Sequence, residues 1–234
     1  MVYDIALPSH SYALPLLDEV LSRGLRVIEL QPPEAYKALI EGRVRSALIP
    51  LALAQDVKIC PGPMVWSLSA TMSVAIYSRT ARSLGECRGI AVSGESRTSL
   101  TYLLKVRERM EAGWDIVHAE RSCVTLECLL SHSDCALILG DNALRARARL
   151  KPVEDLGSLV KRVLGVSPVY AVAASTGNCP EGLPRGEPPV RRRHIEEVCR
   201  RTGISLRDAL LYFTLVNLHY DPEALEKVLP LFHS

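Results

Sequence analysis

The residues best equipped for chemistry lie in Gly94-Glu95-Ser96-Arg97-Thr98-Ser99-Leu100, between an apolar strand and an amphipathic helix. Small hydroxyls at a helix N-terminus sit beside backbone N–H groups that have no partner inside the helix. Together they make a cradle for an anion, and the helix dipole favours a carboxylate or phosphate there. Ser96, Thr98 and Ser99 supply the hydroxyls. An isolated S-x-T-S also suits plain helix capping by Ser96 or Thr98, and taken alone that is its first reading.

A second group is Ala136 to Leu144, an apolar strand running into Gly140-Asp141 at the strand end where open α/β sheets place ligands. Asp141 there either accepts a substrate hydroxyl or caps a short helix beginning near Asn142, and capping is the simpler expectation. Leu48-Ile49-Pro50-Leu51 brings another strand end to Pro50. His10, of a residue type that titrates near pH 6.5, is a candidate base in a stretch that otherwise reads as a surface loop.

His118, Cys123, Cys128, His132 and Cys135 follow one another at gaps of five, five, four and three. Zinc sites usually show tighter C-x2-4-C knuckles, and Cys128 with His132 reads equally as one face of a helix, so no metal is expected. Arg191-Arg192-Arg193-His194 reads as the solvated opening of a helix. Neither G-x-G-x-x-G, Walker A, H-E-x-x-H nor G-x-S-x-G occurs, so no nucleotide or other cofactor is expected.

Short runs rich in Val, Ile and Leu alternate with stretches of helical spacing, the order that builds parallel sheets from βαβ units. The first unit reads as strand 2–7, helix 12–22, strand 26–30, helix 33–41 and strand 45–50. A second follows a strand at 72–78: strand 89–93, helix 98–112, strand 114–118, helix 122–130 and strand 135–139. A helix at 155–164 and a strand at 168–174 lead into a loop rich in Gly and Pro, 175–189. Three helices close the chain at 190–201, 205–218 and 222–232. In the second of these, Leu206, Leu210, Leu211, Thr214 and Leu218 share the face expected to be buried.

The expected class is α/β, with two βαβ lobes around a central cleft. Lobe I is 1–72 plus 169–234, carrying the C-terminal helices, and lobe II is 73–168. Composition alone favours one continuous doubly wound sheet.

The chain has 234 residues, 48% hydrophobic, which suffices for a sizeable core, and its formal charge of +2 leaves no electrostatic footprint for nucleic acid or a membrane surface. A small carboxylate is the expected partner, and no oligomeric state can be read. No apolar run approaches the roughly 18 residues of a span, and the N-terminus lacks a basic leader, so a cytoplasmic location is expected. Seven scattered cysteines argue against a fully paired secreted framework and read mainly as buried thiols.

Several blocks together carry a resemblance: Ala47-Leu48-Ile49-Pro50, Met72-Ser73-Val74-Ala75-Ile76-Tyr77-Ser78, Ser96-Arg97-Thr98-Ser99-Leu100, Leu139-Gly140-Asp141-Asn142-Ala143-Leu144, Asp155-Leu156-Gly157 and Val169-Tyr170-Ala171-Val172. With the tail from Asn217 to Leu225, they resemble the menaquinone-biosynthesis family of the futalosine pathway, in its chorismate dehydratase branch. The resemblance implies a type II periplasmic-binding-protein fold and a carbon–oxygen lyase that dehydrates chorismate to 3-[(1-carboxyvinyl)oxy]benzoate without metal or nucleotide.

It also implies roles. Ser96, Thr98 and Ser99 hold one carboxylate, Ser73 and Asp141 orient the ring hydroxyl and second acid group, and His10 is a candidate base. Ser11, Tyr12, Pro50, Arg97, Gly140 and Tyr170 complete the substrate-binding set. The chain departs from the family pattern at Tyr12, where an Asn is usual, and at Met72, where an Arg is common. Two alternatives stand beside this reading: a carboxylate-binding protein without catalysis, and the sister lyase acting on cyclic dehypoxanthinylfutalosine, whose P-C-P-N-D-like opening is missing here.

Overall fold

The N-terminal unit forms where its periodicity places it. Strand β1 (Tyr3–Leu7) leads through a 3-10 turn at Ser11–Ala13 into helix α1 (Leu14–Ser22), strand β2 (Val27–Glu29), helix α2 (Pro32–Ile40) and strand β3 (Val44–Pro50). Two prolines pre-set the first turn of α2, and Gln31 with Glu34 closes a capping box there. The computed structural model describes residues 2–94 and 96–232, so Glu95 of the hydroxyl-rich stretch lies outside the described residues.

The chain continues through β4 (Lys58–Trp66), β5 (Val74–Ser78), β6 (Gly89–Val92), α3 (Arg97–Met110), β7 (Asp115–His118), α4 (Leu126–Leu130), β8 (Cys135–Leu139) and α5 (Gly140–Arg147). It ends with β9 (Glu154–Asp155), α6 (Leu156–Leu164), β10 (Val169–Ser175), α7 (Arg192–Thr202), α8 (Leu206–Leu215) and α9 (Pro222–Val228). The single continuous sheet favoured by composition is replaced by two five-stranded sheets, ordered β2-β1-β3-β10-β4 and β7-β6-β8-β5-β9.

Neither sheet is wholly parallel. β1 runs parallel to β2 and β3, and β6 to β7 and β8, as βαβ units require. β10 runs antiparallel to β3 and β4, and β5 antiparallel to β8 and β9. β5 and β10 are the strands that arrive from the other sheet, so no helical crossover forces them parallel.

Alternation along the strands sets the layers. In the first sheet Ile5, Leu7 and Leu48 face α1, α7 and α8, while Ala6, Ala47 and Ile49 face α2 and α9. In the second, Ile76, Ile90 and Leu137 face α3 and α6, while Ala75, Tyr77 and Ile138 face α4 and α5. The face expected to be buried in the penultimate helix is corrected: Leu206, Leu210 and Leu211 are 58%, 48% and 46% exposed and Thr214 is exposed too, while Leu218, beyond the helix end, is buried as expected. The helix is turned so that Ala209 and Tyr212 go inward, packing with Ile5, Leu7, Ala171 and Ala173 of β1 and β10.

The cysteines correct the expectation of buried thiols. Six form disulfides, Cys60–Cys179, Cys87–Cys135 and Cys123–Cys128, and Cys199 is free. Their sequence separations are 119, 48 and 5. Loop-closure entropy therefore gives about 5 kcal/mol for the longest and about 2 kcal/mol for the shortest. The basic run at the start of α7 is also more than a solvated face: His194 is 4% exposed and its Nε2 lies 2.6 Å from Asp18 of α1.

Candidate active site

The two sheets meet along a cavity of about 800 Å³, counted with the part open to solvent. From the first sheet and its connections come His10, Tyr12, Leu48, Pro50, Val65, Trp66 and Tyr170. From the second come Ser73, Val74, Ser96, Thr98, Ser99, Leu139 and Gly140. Its walls are apolar, its polar groups are mainly hydroxyls, and no Asp, Glu, Lys or Arg among the described residues lines it. Neutral donors beside a helix N-terminus suit an anionic ligand with an apolar ring.

The hydroxyls at the start of α3 do not act as caps, contrary to the first reading. Ser96 occupies the cap position with no side-chain bond to the helix, and its Oγ lies 3.1 Å from Ser93 Oγ. The Thr98 hydroxyl accepts the Ala52 N–H at 3.2 Å, tying α3 to the turn after β3. Ser99 is buried against the cavity, and its hydroxyl makes no hydrogen bond to a described residue. The first turn of α3 thus keeps its N–H groups free of side-chain caps.

On the opposite wall the Tyr170 hydroxyl is buried without a hydrogen-bond partner among the described residues. Its ring stands edge-on to Tyr102, with centroids 6.0 Å apart. Burial raises the Tyr170 phenol well above its usual range, so it stays protonated as a donor. Tyr12 is raised in the same way, first by burial and then by the Asp141 charge.

Nine of the twelve expected site residues line this cavity: His10, Tyr12, Pro50, Ser73, Ser96, Thr98, Ser99, Gly140 and Tyr170. Three do not. Asp141 points its carboxylate at Ser11, accepting the backbone N–H at 3.0 Å and the hydroxyl at 2.9 Å. It neither faces the cavity nor caps α5, which begins at Gly140 with Leu139 at the cap position. Ser11 is fully buried in that contact. Arg97 lines a neighbouring recess with Pro33, Tyr36, Pro50, Leu53, Gly94 and Arg121.

Gly140 explains why the two loops approach so closely. Its φ is +58°, and a Cβ there would sit 3.1 Å from His10 Nδ1. At the crossing between sheets, Asp155 accepts the N–H groups of Thr71 at 3.1 Å, Met72 at 2.9 Å and Ser158 at 3.1 Å. That grip holds Met72 at φ +60°, a left-handed conformation uncommon outside glycine. Burial outweighs these bonds and raises the Asp155 carboxyl above its usual range.

Sequence reasoning missed Thr71, Trp66, Leu139 and Val216 on the cavity wall. It also missed Tyr212, a wholly buried phenol whose hydroxyl has no partner among the described residues. A phenol one turn before Val216 on an apolar helix face was the available signal.

Two sheets exchanging two strands around a central cavity define a periplasmic-binding-protein-like fold of type II. Solved structures of this kind superpose over nearly the whole chain. A protein from Archaeoglobus fulgidus gives a TM-score of 0.65 at 14% identity, covering 99% of this chain and 95% of that one. The periplasmic aliphatic sulphonate binding protein of Escherichia coli gives 0.63 at 11% identity, covering 99% and 85%.

Within that fold, the chain belongs to the menaquinone biosynthesis family, whose model matches residues 5–220. It is 30% identical to the chorismate dehydratase of Thermus thermophilus over 154 residues, 64% of this chain and 55% of that enzyme. The chain thus matches little more than half the length of this curated relative.

Proposed function

We propose that the protein is a chorismate dehydratase-like carbon–oxygen lyase, converting chorismate to 3-[(1-carboxyvinyl)oxy]benzoate. The observation that carries this reading is the cavity itself: apolar walls for a ring, an uncapped helix N-terminus with the Ser99 hydroxyl open to a ligand, and the unpartnered Tyr170 phenol opposite. Family membership and the dehydratase relative support it. In this reading lobe I is 1–72 with 169–234 and lobe II is 73–168, and the cavity is the cleft between them.

The elimination breaks the ring C–O bond and removes a ring proton, releasing one water as the ring becomes aromatic. The start of α3, with Ser96, Thr98 and Ser99, takes one carboxylate. Tyr170 donates to the other acid group or its ether oxygen. Ser73 lies across the cavity for the departing hydroxyl, and His10 is the base within reach of the ring. Asp141 leaves the catalytic set and becomes the group that positions the His10–Tyr12 loop through Ser11. Holding the substrate among preorganised donors supplies the rate advantage.

No helix among the described residues is long and apolar enough to cross a membrane. We place the enzyme in the cytoplasm, where intracellular proteins of hyperthermophiles are known to keep disulfides.

The test is incubation with millimolar chorismate followed by mass spectrometry, beside a thermal-shift titration of the same compound. Loss of one water with a new aromatic chromophore is the expected result. A thermal shift without turnover overturns the lyase and favours a carboxylate-binding protein, and silence in both assays removes chorismate as ligand.

A further inference from the structure

The segment joining β7 to β8 gathers three metal-ligating side chains away from the cavity. Cys123 precedes α4, Cys128 lies in the first turn of α4, and His132 follows its C-terminal end. The two sulfurs and a ring nitrogen of His132 all lie within 4.8 Å of one another. The wide sequence spacing disguises this, because the short helix folds the two ends of the segment together. Cys123 is buried, Cys128 is half-buried and His132 is exposed, so the group is reached from solvent on one side. The His132 imidazole has no hydrogen bond, ion pair or ring contact among the described residues.

In this structure Cys123 and Cys128 are joined as a disulfide. It closes a far smaller loop than the other two, so it gains the least from restricting the unfolded chain. Cys87 and Cys135 are by contrast both buried in the core. The Cys123–Cys128 bond is therefore the one a reductant reaches with the least loss to the fold.

We propose that Cys123, Cys128 and His132 form a redox-gated site for a thiophilic divalent cation of the zinc class. A dithiol reductant gives two electrons and two protons to the Cys123–Cys128 disulfide and is itself oxidised to a disulfide. The two thiols then lose their protons to solvent as their sulfurs bind the cation, and the neutral imidazole of His132 gives the third ligand. Two thiolates, one imidazole and one open position match the donor set such cations take.

The site has a structural consequence beside the cavity. Arg121, two residues before Cys123, packs with its Cα, Cβ and Cγ 3.5–3.6 Å from where a Cβ on Gly94 would lie. Gly94 belongs to the loop that leads into Ser96, Thr98 and Ser99. A cross-link at Cys123, whether disulfide or metal, keeps the Arg121 loop against that cradle in both oxidising and reducing conditions.

The test reduces the full chain with a phosphine, removes the reductant without air and titrates with Co²⁺, then with Zn²⁺. One equivalent of cobalt per chain is expected, with a thiolate-to-cobalt charge-transfer band that zinc erases. Cys123 and Cys128 should become protected from alkylation when metal is present. Cys128→Ser should abolish the band, His132→Ala should weaken cobalt at least tenfold, and Cys199→Ser should leave it unchanged. Absence of the band in reduced wild type overturns the proposal. So does equal binding by the unreduced protein, by Cys128→Ser or by His132→Ala. Mapping the alkylated cysteines on wild type decides the question even if a variant fails to fold.

Discussion

The Asp141 carboxylate binds both the backbone N–H and the hydroxyl of Ser11, at 3.0 and 2.9 Å across 130 residues of sequence. One side of this contact hangs from the first sheet and the other from the second. The loop it holds carries His10 and Tyr12 into the cavity. Asp141→Ala leaves two buried donors of Ser11 without an acceptor, a loss of about 1–3 kcal/mol. Asp141→Asn keeps one acceptor oxygen and should lose less. Urea unfolding of the two variants checks the order, and an alanine variant as stable as wild type would refute the contact's role.

Ser99 gives the opposite pattern. Its hydroxyl has no partner among the described residues, so Ser99→Ala should change stability by less than about 0.5 kcal/mol. If the start of α3 receives a carboxylate, the same change removes a charge-assisted hydrogen bond, and chorismate affinity should fall by about tenfold, or roughly 1.5 kcal/mol. Paired thermal unfolding and ligand titration separate the two quantities. A large stability loss with unaltered binding would return Ser99 to a purely structural role.

The fold was legible wherever a strand or helix was locally consistent. β3, β8 and α6 form within a residue or so of their expected bounds because their apolar period, caps and lengths agree. β4 was invisible because Pro61 and Pro63 interrupt it, and it survives only because it lies at the edge of its sheet, where missing N–H donors go unused. α5 was nearly so, since its first turn is Gly-Asp-Asn and its later turns carry Arg145 and Arg147. Among site residues, Ser96, Thr98 and Ser99 announced themselves by type and place. The redirection of Asp141 to Ser11 could not be read, because it depends on how two distant loops meet.

The basic run at the head of α7 makes stability depend on acid. Asp18 draws Arg191 at 3.7 Å and His194 Nε2 at 2.6 Å, and also binds Arg193. Burial pushes the Asp18 carboxyl up, but the bonds from Arg193 and His194 outweigh it and hold the group below the usual carboxylate range. A depressed acid stabilises the fold above its unfolded value near 3.9, and that contribution is lost as pH falls through the folded value. Asp18→Asn should therefore cost about 1 kcal/mol or more at pH 7 and flatten the acid limb of the stability curve. Denaturant midpoints between pH 2 and 7 test this, and parallel curves for variant and wild type would refute it.

Gly157 sets two physical effects against each other. It lies in the first turn of α6 with no positive φ, so replacing it by alanine should by helix propensity alone stabilise the protein by about 0.5–1 kcal/mol. The added Cβ, however, would fall 2.1 Å from the Ser69 carbonyl oxygen and 2.9 Å from Thr71 Cγ2. Both atoms belong to the segment that Asp155 grips where the chain passes from one sheet to the other, so neither yields as a free side chain would. Overpacking of this kind costs about 1–3 kcal/mol or more, and sterics should win. Gly157→Ala should lower Tm by several degrees, at about 2–4 °C per kcal/mol for a chain of this size. Gly113→Ala, where a Cβ meets nothing within 4 Å and φ is not positive, serves as the control and should leave Tm unlowered or slightly raised. A Gly157→Ala variant with raised Tm would mean that the crossing segment moves aside, and that Asp155 does not fix it.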